Sequence, residues 1–418
     1  MKSQKPVSDA CRQLLTAQQI SPEGPGTILR DIETLITFIG ERGLLTKSKQ
    51  GNLPPDVLPG LNAHMAQPIE VYLERPQLRD FPNIGGMFVL LRVMDFVRVE
   101  GKLLRIDPAR LALWRTYNPA EKYFTLLEAW LFHADAAVLG GEDRRRLNSQ
   151  FAANLRFLVK LKTTQWTTFD EYCHLYEICG AVSTWNTQLH VMFGLIEVQS
   201  RSLLGRKGEG SGWLMEKGRR TLWGEAVGGR IVEALQAIDE ALLYYLDPPE
   251  AADFGTLQPA FQAYFPEWQK TYALPQQGAQ SGIYIFKVSL TDHRANGEVW
   301  RRLAVPGHVS LDELADAVLQ AFDFSDREHL YEFRYRDRLG KGQVYFHPET
   351  EEGPYAHELE IQLSGLPEKG VMKFRFDYGD DWRFELKLER IDPLDKKMKH
   401  SALLESFGKA PAQNPDWD

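Results

Sequence analysis

The residue types that could do chemistry crowd one stretch near the C-terminus. Phe374–Arg390 reads FRFDYGDDWRFELKLER, and it sets Asp377, Asp380 and Asp381 beside Trp382. Upstream, His329 stands next to Asp326 and Glu328. One histidine with several carboxylates is a donor set for a divalent cation, and either group can serve as a general base. Brought together, His329, Asp377, Asp380 and Asp381 would make a metal-dependent hydrolase or nuclease. The favoured reading of the same residues is structural. Asp side chains in a tight turn bond backbone N–H groups, Trp382 anchors the base of the turn, and His329 bonds its acidic neighbours.

A second set could bind rather than react. Trp300, Arg301 and Arg302 are consecutive, and Arg334 and Arg336 alternate with aromatics further on. Guanidinium groups on strands suit phosphate or an acidic partner, or pair with carboxylates such as Asp380 across a sheet. With Trp382, these residues form the expected binding set. No Ser/His/Asp or Cys/His arrangement has recognisable local context. Leu204–Gly212, LGRKGEGSG, lacks the Gly-Lys-Ser/Thr ending of a phosphate-binding loop and reads as a flexible connection. No metal, cofactor or catalytic residue is therefore assigned, and the balance leans away from an enzyme.

Strands must carry these side chains. Phe374 and Phe376 alternate with Lys373 and Arg375; Phe384, Leu386 and Leu388 alternate with Arg383, Glu385, Lys387 and Glu389. A period of two marks strands with one buried and one wet face, and Asp377–Asp381 supplies the Gly and Asp of a hairpin turn. Before them come a strand at Ile283–Leu290, a strand at Val299–Val305 and a helix opened by the capping box Ser310-Leu311-Asp312-Glu313. His329–Arg338 is a further strand, with Tyr331, Phe333 and Tyr335 on one face and Arg334, Arg336 and Arg338 on the other. His347, His357, Glu349, Glu351 and Glu352 fall in a polar loop over 340–358. The order is that of a β-grasp-like α+β sheet over residues 283–418.

The N-terminal region is α-rich. Ile28, Ile32, Leu35, Ile36 and Ile39 mark one helix face, followed by a small hairpin turning at Lys47–Gly51. Met87–Phe96 is a second apolar helix, followed by a hairpin at Glu100-Gly101-Lys102 and by helices that Asp107 and Asn118 cap. Helix, small hairpin, helix is a winged-helix-like order over residues 1–139. Residues 140–270 read as mainly helical, with helices near 150–161, 169–180, 185–200 and 229–246. Residues 271–282 are polar with Pro and Gly and read as a linker.

Length and composition bound the rest. A chain of 418 residues holds two or three domains, and 43% hydrophobic with 25% charged residues is ordinary for a globular protein. The net charge of −8 counts against a nucleic-acid-binding surface all round. Three cysteines are too few for a disulfide framework. No apolar run nears the roughly 20 residues that cross a bilayer, and MKSQKPVSDACRQLL is not a signal peptide, so a cytoplasmic location without membrane contact is expected.

Several blocks together resemble one family. They are Glu298–Gly307 (EVWRRLAVPG), Leu311–Leu314 (LDEL), His329–Phe333 (HLYEF), Asp377–Trp382 (DYGDDW) and Gly408–Gln413 (GKAPAQ). Over about 283–418 they resemble the plasmid pRiA4b ORF-3-like family, and the first 270 residues are similar to the helical extension of its longer members. The resemblance implies the α+β domain and a mobile-element context, and it implies no activity. The sequence departs from the pattern at Tyr331 and Phe384, where members often carry histidines, and it lacks the Cys-Pro tail. The leading expectation is a non-enzymatic interaction module that binds a protein or nucleic acid. The alternatives are the metal-dependent hydrolase and a winged-helix DNA-binding regulator.

Overall fold

The computed structural model describes residues 7–46, 51–100, 102–134, 150–169, 182–203, 212–238, 254–274, 282–291, 294, 297–336, 342–347, 349–350, 370–395 and 397–413. The chain is an α+β protein with two compact units, Met1–Leu274 and Pro275–Asp418. Among the described residues, no helix is long and apolar enough to cross a membrane.

In the first unit, helix Ile28–Ile39 buries Ile28, Ile32, Leu35, Ile36 and Ile39, the stripe that its spacing predicts. It stops at Gly40, whose φ of 59° suits a residue without a Cβ. Strand β1 (Leu44–Leu45) follows. Helix Pro82–Val93 then leads into β2 (Val97–Glu100) and β3 (Leu103–Ile106). The sheet order is β1-β3-β2: Leu44 pairs with Leu104 and Leu45 with Leu103. The turn of the hairpin expected at Lys47–Gly51 falls on residues 47–50, outside the described set; what is described of it, Leu44–Leu45, makes this long-range pairing. Helix Pro82–Val93 is buried along its whole length, as its nearly unbroken apolar sequence requires. Asp107 caps helix Pro108–Arg115 by accepting from the Arg110 amide. Asn118 and Glu121 form a capping box on helix Pro119–Glu128.

In the second half of this unit, the described residues combine helices with strands. Helix Gln150–Lys160, β4 (Thr167–Thr168), helix Thr184–Met192, β5 (Ile196–Leu203), β6 (Gly212–Arg220) and helix Leu222–Ile238 form a mixed order, and the sheet runs β4-β6-β5. The helix expected over 185–200 ends at Met192 because Gly194 takes a φ of 71° and turns the chain into β5. Ile196 and Val198 then alternate with Glu197 and Gln199, a short period-two signal beside a longer helical one. A strand therefore precedes the glycine-rich segment. Residues 204–211, the 170–180 part of the expected helix 169–180, the end of the 229–246 helix and 275–281 of the linker lie outside the described residues.

The C-terminal unit is one seven-stranded sheet. Its strands are β7 (Gly282–Leu290), β8 (Trp300–Pro306), β9 (Tyr331–Arg336), β10 (Gly342–Phe346), β11 (Val371–Phe376), β12 (Trp382–Pro393) and β13 (Ala402–Phe407). The order is β10-β9-β11-β12-β7-β8-β13, antiparallel at every pairing. Strand β10 occupies part of the expected polar loop 340–358, with Tyr345 opposite Phe333; residues 340–341, 348 and 351–358, with His357, Glu351 and Glu352, lie outside the described set. Helix Leu311–Ala321 covers one face. Under it sit Tyr284, Phe286, Val288, Phe333, Phe374, Phe384 and Leu386, all essentially without solvent contact. Each such side chain contributes about 1.5–3 kcal/mol of apolar burial, so the period-two stripe fixes the register. The Phe374–Phe384 and Phe376–Trp382 pairs place the hairpin turn at Asp377–Asp381.

Candidate functional site

The acidic turn is built by its own backbone. Asp377 and Asp381 both take left-handed conformations, φ 53° and 56°, which Asp tolerates better than most residues. Asp377 Oδ1 accepts from the Gly379 amide at 2.9 Å and the Asp380 amide at 3.2 Å. The Asp381 amide closes the turn on the Asp377 carbonyl at 2.6 Å, and the Asp377 amide donates to Leu330 O at 2.9 Å. Asp381 accepts from Arg375 Nε at 2.5 Å and from Arg383. The Arg383 guanidinium, and Arg375 with it, holds the Asp381 carboxyl below the usual carboxylate range. The Asp380 carbonyl accepts from Arg294 at 2.6 Å.

His329 does approach this turn. Its Nδ1 lies 3.6 Å from Asp377 Oδ2, and its Nε2 lies 3.1 Å from Asp326 Oδ2. Asp381 is engaged by the two arginines. Among the described residues, no group of three or more His, Cys, Asp or Glu side chains is arranged to hold a metal ion.

The sheet splits the expected binding set between its two faces. Trp382 and Arg301 lie on the covered face. Trp382 is fully buried, meets Phe324 edge-on at 4.8 Å and is overlain by the Arg294 guanidinium at 3.7 Å. Arg301, 5% exposed, donates to Ala321 O at 2.7 Å and to the carbonyls of Trp300 and Phe407 at 2.9 and 3.0 Å. It satisfies the last turn of helix Leu311–Ala321, where a cation also meets the negative end of the helix dipole. These two members of the expected binding set are therefore engaged inside the covered face of the sheet. The neighbouring Arg302 parts from Arg301 because successive strand residues point to opposite faces.

Trp300, Arg302 and Arg334 share the other face, over which the described residues of this unit place no helix. Trp300 stacks on Phe407 with centroids 5.6 Å apart and planes 10° from parallel. Lys287 Nζ and the Arg302 guanidinium lie 4.8 and 5.2 Å from the Trp300 ring centre. Arg302 pairs with Glu389 at 2.8 Å and with Glu405, and the Arg302 contact lowers the Glu389 carboxyl pKa. Arg334 makes a two-point pair with Glu332 at 2.6 and 2.7 Å. Asp380, the expected partner of these arginines, is replaced in that role by Glu389, Glu405 and Glu332. The backbone of Arg336 pairs with Gly342, while its side chain lies outside the description. Sequence reasoning missed Lys287 and Phe407. Lys287 was readable as the polar break in the apolar strand β7, whereas Phe407 meets Trp300 through a long-range pairing that no local pattern announces.

Residues 282–415 match the family model described as Plasmid pRiA4b ORF-3-like protein. The "Uncharacterized protein y4hQ" of Sinorhizobium fredii (strain NBRC 101917 / NGR234) is 32% identical over 134 residues, which cover 31% of this chain and 66% of that protein. The chain thus spans about two-thirds of that relative's length. Among solved structures, the protein of unknown function MM3350 from Methanosarcina mazei Go1 is 20% identical, with a TM-score of 0.28 over 32% of this chain and 73% of that one. The similarity to the plasmid pRiA4b ORF-3-like family thus lies in the C-terminal unit.

Proposed function

We propose that the protein is a non-enzymatic interaction module, acting in the mobile-element setting that its family resemblance implies. It binds a protein partner through the open face of the C-terminal sheet. One observation carries this reading: the Trp300–Phe407 stack, with Phe407 52% exposed, sits between Lys287 and Arg302 on a face of paired charges. Aromatic side chains beside arginine are the residues in which binding energy concentrates, and the ion pairs around them would set orientation. The commitments of Asp377 to its turn and of Asp381 to two arginines weigh against the hydrolase.

The winged-helix regulator finds support in the order helix, β1, helices, β2, β3 with the sheet order β1-β3-β2. The helix that would have to enter a DNA groove is Pro82–Val93, and its burial weighs against that use. The test is cross-linking mass spectrometry with the full chain as bait in host extract, beside Trp300→Ala and Phe407→Ser. The proposal expects one protein cross-linked at Lys287 or Lys387 and lost in both variants. Unchanged capture by the variants would overturn it. Salt-sensitive binding of purified duplex DNA without any protein partner would favour the regulator instead.

A further inference from the structure

The two small sheets of the N-terminal unit share more than their strand order. Helix Pro82–Val93 runs out into Asp95 at φ 56°, and helix Thr184–Met192 into Gly194 at φ 71°. The Asp95 amide donates to Arg92 O at 3.0 Å, as the Gly194 amide does to Val191 O at 2.8 Å. The Phe96 amide donates to Leu91 O at 2.9 Å, as the Leu195 amide does to His190 O at 2.9 Å. All four residue pairs stand at one constant sequence offset.

The hairpins then close alike. The Asp107 amide donates to Phe96 O at 2.8 Å, and the Thr221 amide to Leu195 O at 3.0 Å. Asp107 and Thr221 next cap the following helix, accepting from Arg110 N at 2.9 Å and Gly224 N at 2.8 Å. The short strands β1 and β4 also leave their sheets by the same bond, Thr46 N to Lys102 O and Phe169 N to Glu216 O, both 2.8 Å. General rules of fold construction explain a shared strand order. They do not explain the same turn with its left-handed residue at one offset, nor the same closing bond and cap after each hairpin.

The helices before the two hairpins, Pro82–Val93 and Thr184–Met192, pack on each other. In a twofold pairing, a residue at the axis meets its own counterpart. The offset makes Trp185 the counterpart of Gly86, and the two meet: a Cβ on Gly86 would stand 3.2 Å from Trp185 O and 3.0 Å from Leu189 Cγ. Glycine lets the two backbones come this close.

We infer that residues 28–115 and 150–238 are two copies of one folding module, paired across a local twofold at Gly86 and Trp185. The N-terminal unit is a built-in dimer, and the partner that covers helix Pro82–Val93 is the chain's own second module. The inference stands apart from the binding face of the C-terminal sheet. It also makes Leu90 and Leu189, both fully buried, counterparts across the axis.

Hydrogen exchange of the full chain, read by mass spectrometry on β3 and β6, tests this with Leu90→Ala and Leu189→Ala. Each variant should speed exchange in both strands by at least about 30-fold, the lower end for a buried leucine, and the two should match within tenfold. If either variant fails to fold, Leu90→Met and Leu189→Met are compared by the same criterion. A variant that loosens only its own strand, or a mismatch beyond tenfold, overturns the pairing of equivalent copies.

Discussion

Asp377 and His329 stand 3.6 Å apart, Oδ2 to Nδ1, while the other oxygen of Asp377 accepts two backbone amides of its own turn. The carboxylate is thus a structural hinge first, and its contact with His329 is made at the rim. Removing it should unmake the turn. Asp377→Ala loses both acceptor contacts and puts a Cβ without a bonding side chain at φ 53°, a loss of about 1–3 kcal/mol. Asp377→Asn keeps the left-handed preference and one acceptor oxygen, and should cost less. Thermal melts of both variants check this order. Titration with Mn²⁺, Mg²⁺ or Zn²⁺ should leave the wild-type Tm in place, and a metal-dependent rise abolished by Asp377→Ala would return the turn to metal chemistry.

Adjacent arginines should answer oppositely. Arg301→Ala strips the donor from the carbonyls of Ala321 and Phe407 beneath a helix end, a loss of about 2–4 kcal/mol. Arg302 works on the open face, where Glu389 and Glu405 can turn to water, so Arg302→Ala should leave Tm near wild type. Denaturant midpoints of the two variants decide the matter; equal losses would mean that the open face is itself packed against something.

Glycine substitution should also change sign with place. Inside a helix, Gly→Ala is ordinarily favourable by up to about 1 kcal/mol. Gly60, with nothing within 4 Å of its would-be Cβ, should show that gain. At Gly224 the same Cβ would fall 1.9 Å from Leu195 O, a backbone atom that cannot swing aside. Gly224→Ala should therefore lower Tm by several degrees, and a neutral result would mean that helix Leu222–Ile238 does not seat so closely on the turn before β5.

Local pattern accounts for what the sequence made legible. The alternation through Phe374–Leu388, the capping box at Ser310 and the caps at Asp107 and Asn118 are written within a few residues, so they could be read. The pairing of Leu44–Leu45 with Leu103–Leu104, and of Phe407 with Trp300, depends on partners far away in the chain. Strand β5 was hidden because its polar alternation follows a helix with no break but Gly194. The inward placement of Trp382 and Arg301 was not legible for another reason: their types suit an exposed face, and only strand parity, fixed by the register, turns them inward.

His190 marks a chemical difference between the two modules. Its counterpart, Leu91, is an ordinary core residue, whereas His190 is fully enclosed, with Nδ1 3.0 Å from Asn186 O and Nε2 3.3 Å from Asn154 O. Burial pulls its pKa from 6.5 down to about 4, against the opposing pull of the two carbonyls. The folded chain then refuses a proton that the unfolded chain accepts below pH 6.5. Stability from the neutral imidazole is complete above that pH and drains away as pH falls toward 4, by up to about 3 kcal/mol. His190→Leu, which installs the residue of the first module, should flatten this limb and change stability at pH 7.5 far less. Urea midpoints at pH 7.5, 6, 5 and 4.5 give the comparison. Parallel acid limbs for wild type and variant would show that His190 is already charged in the fold, held between its two carbonyls, and that the polar island in the second module serves to keep that charge.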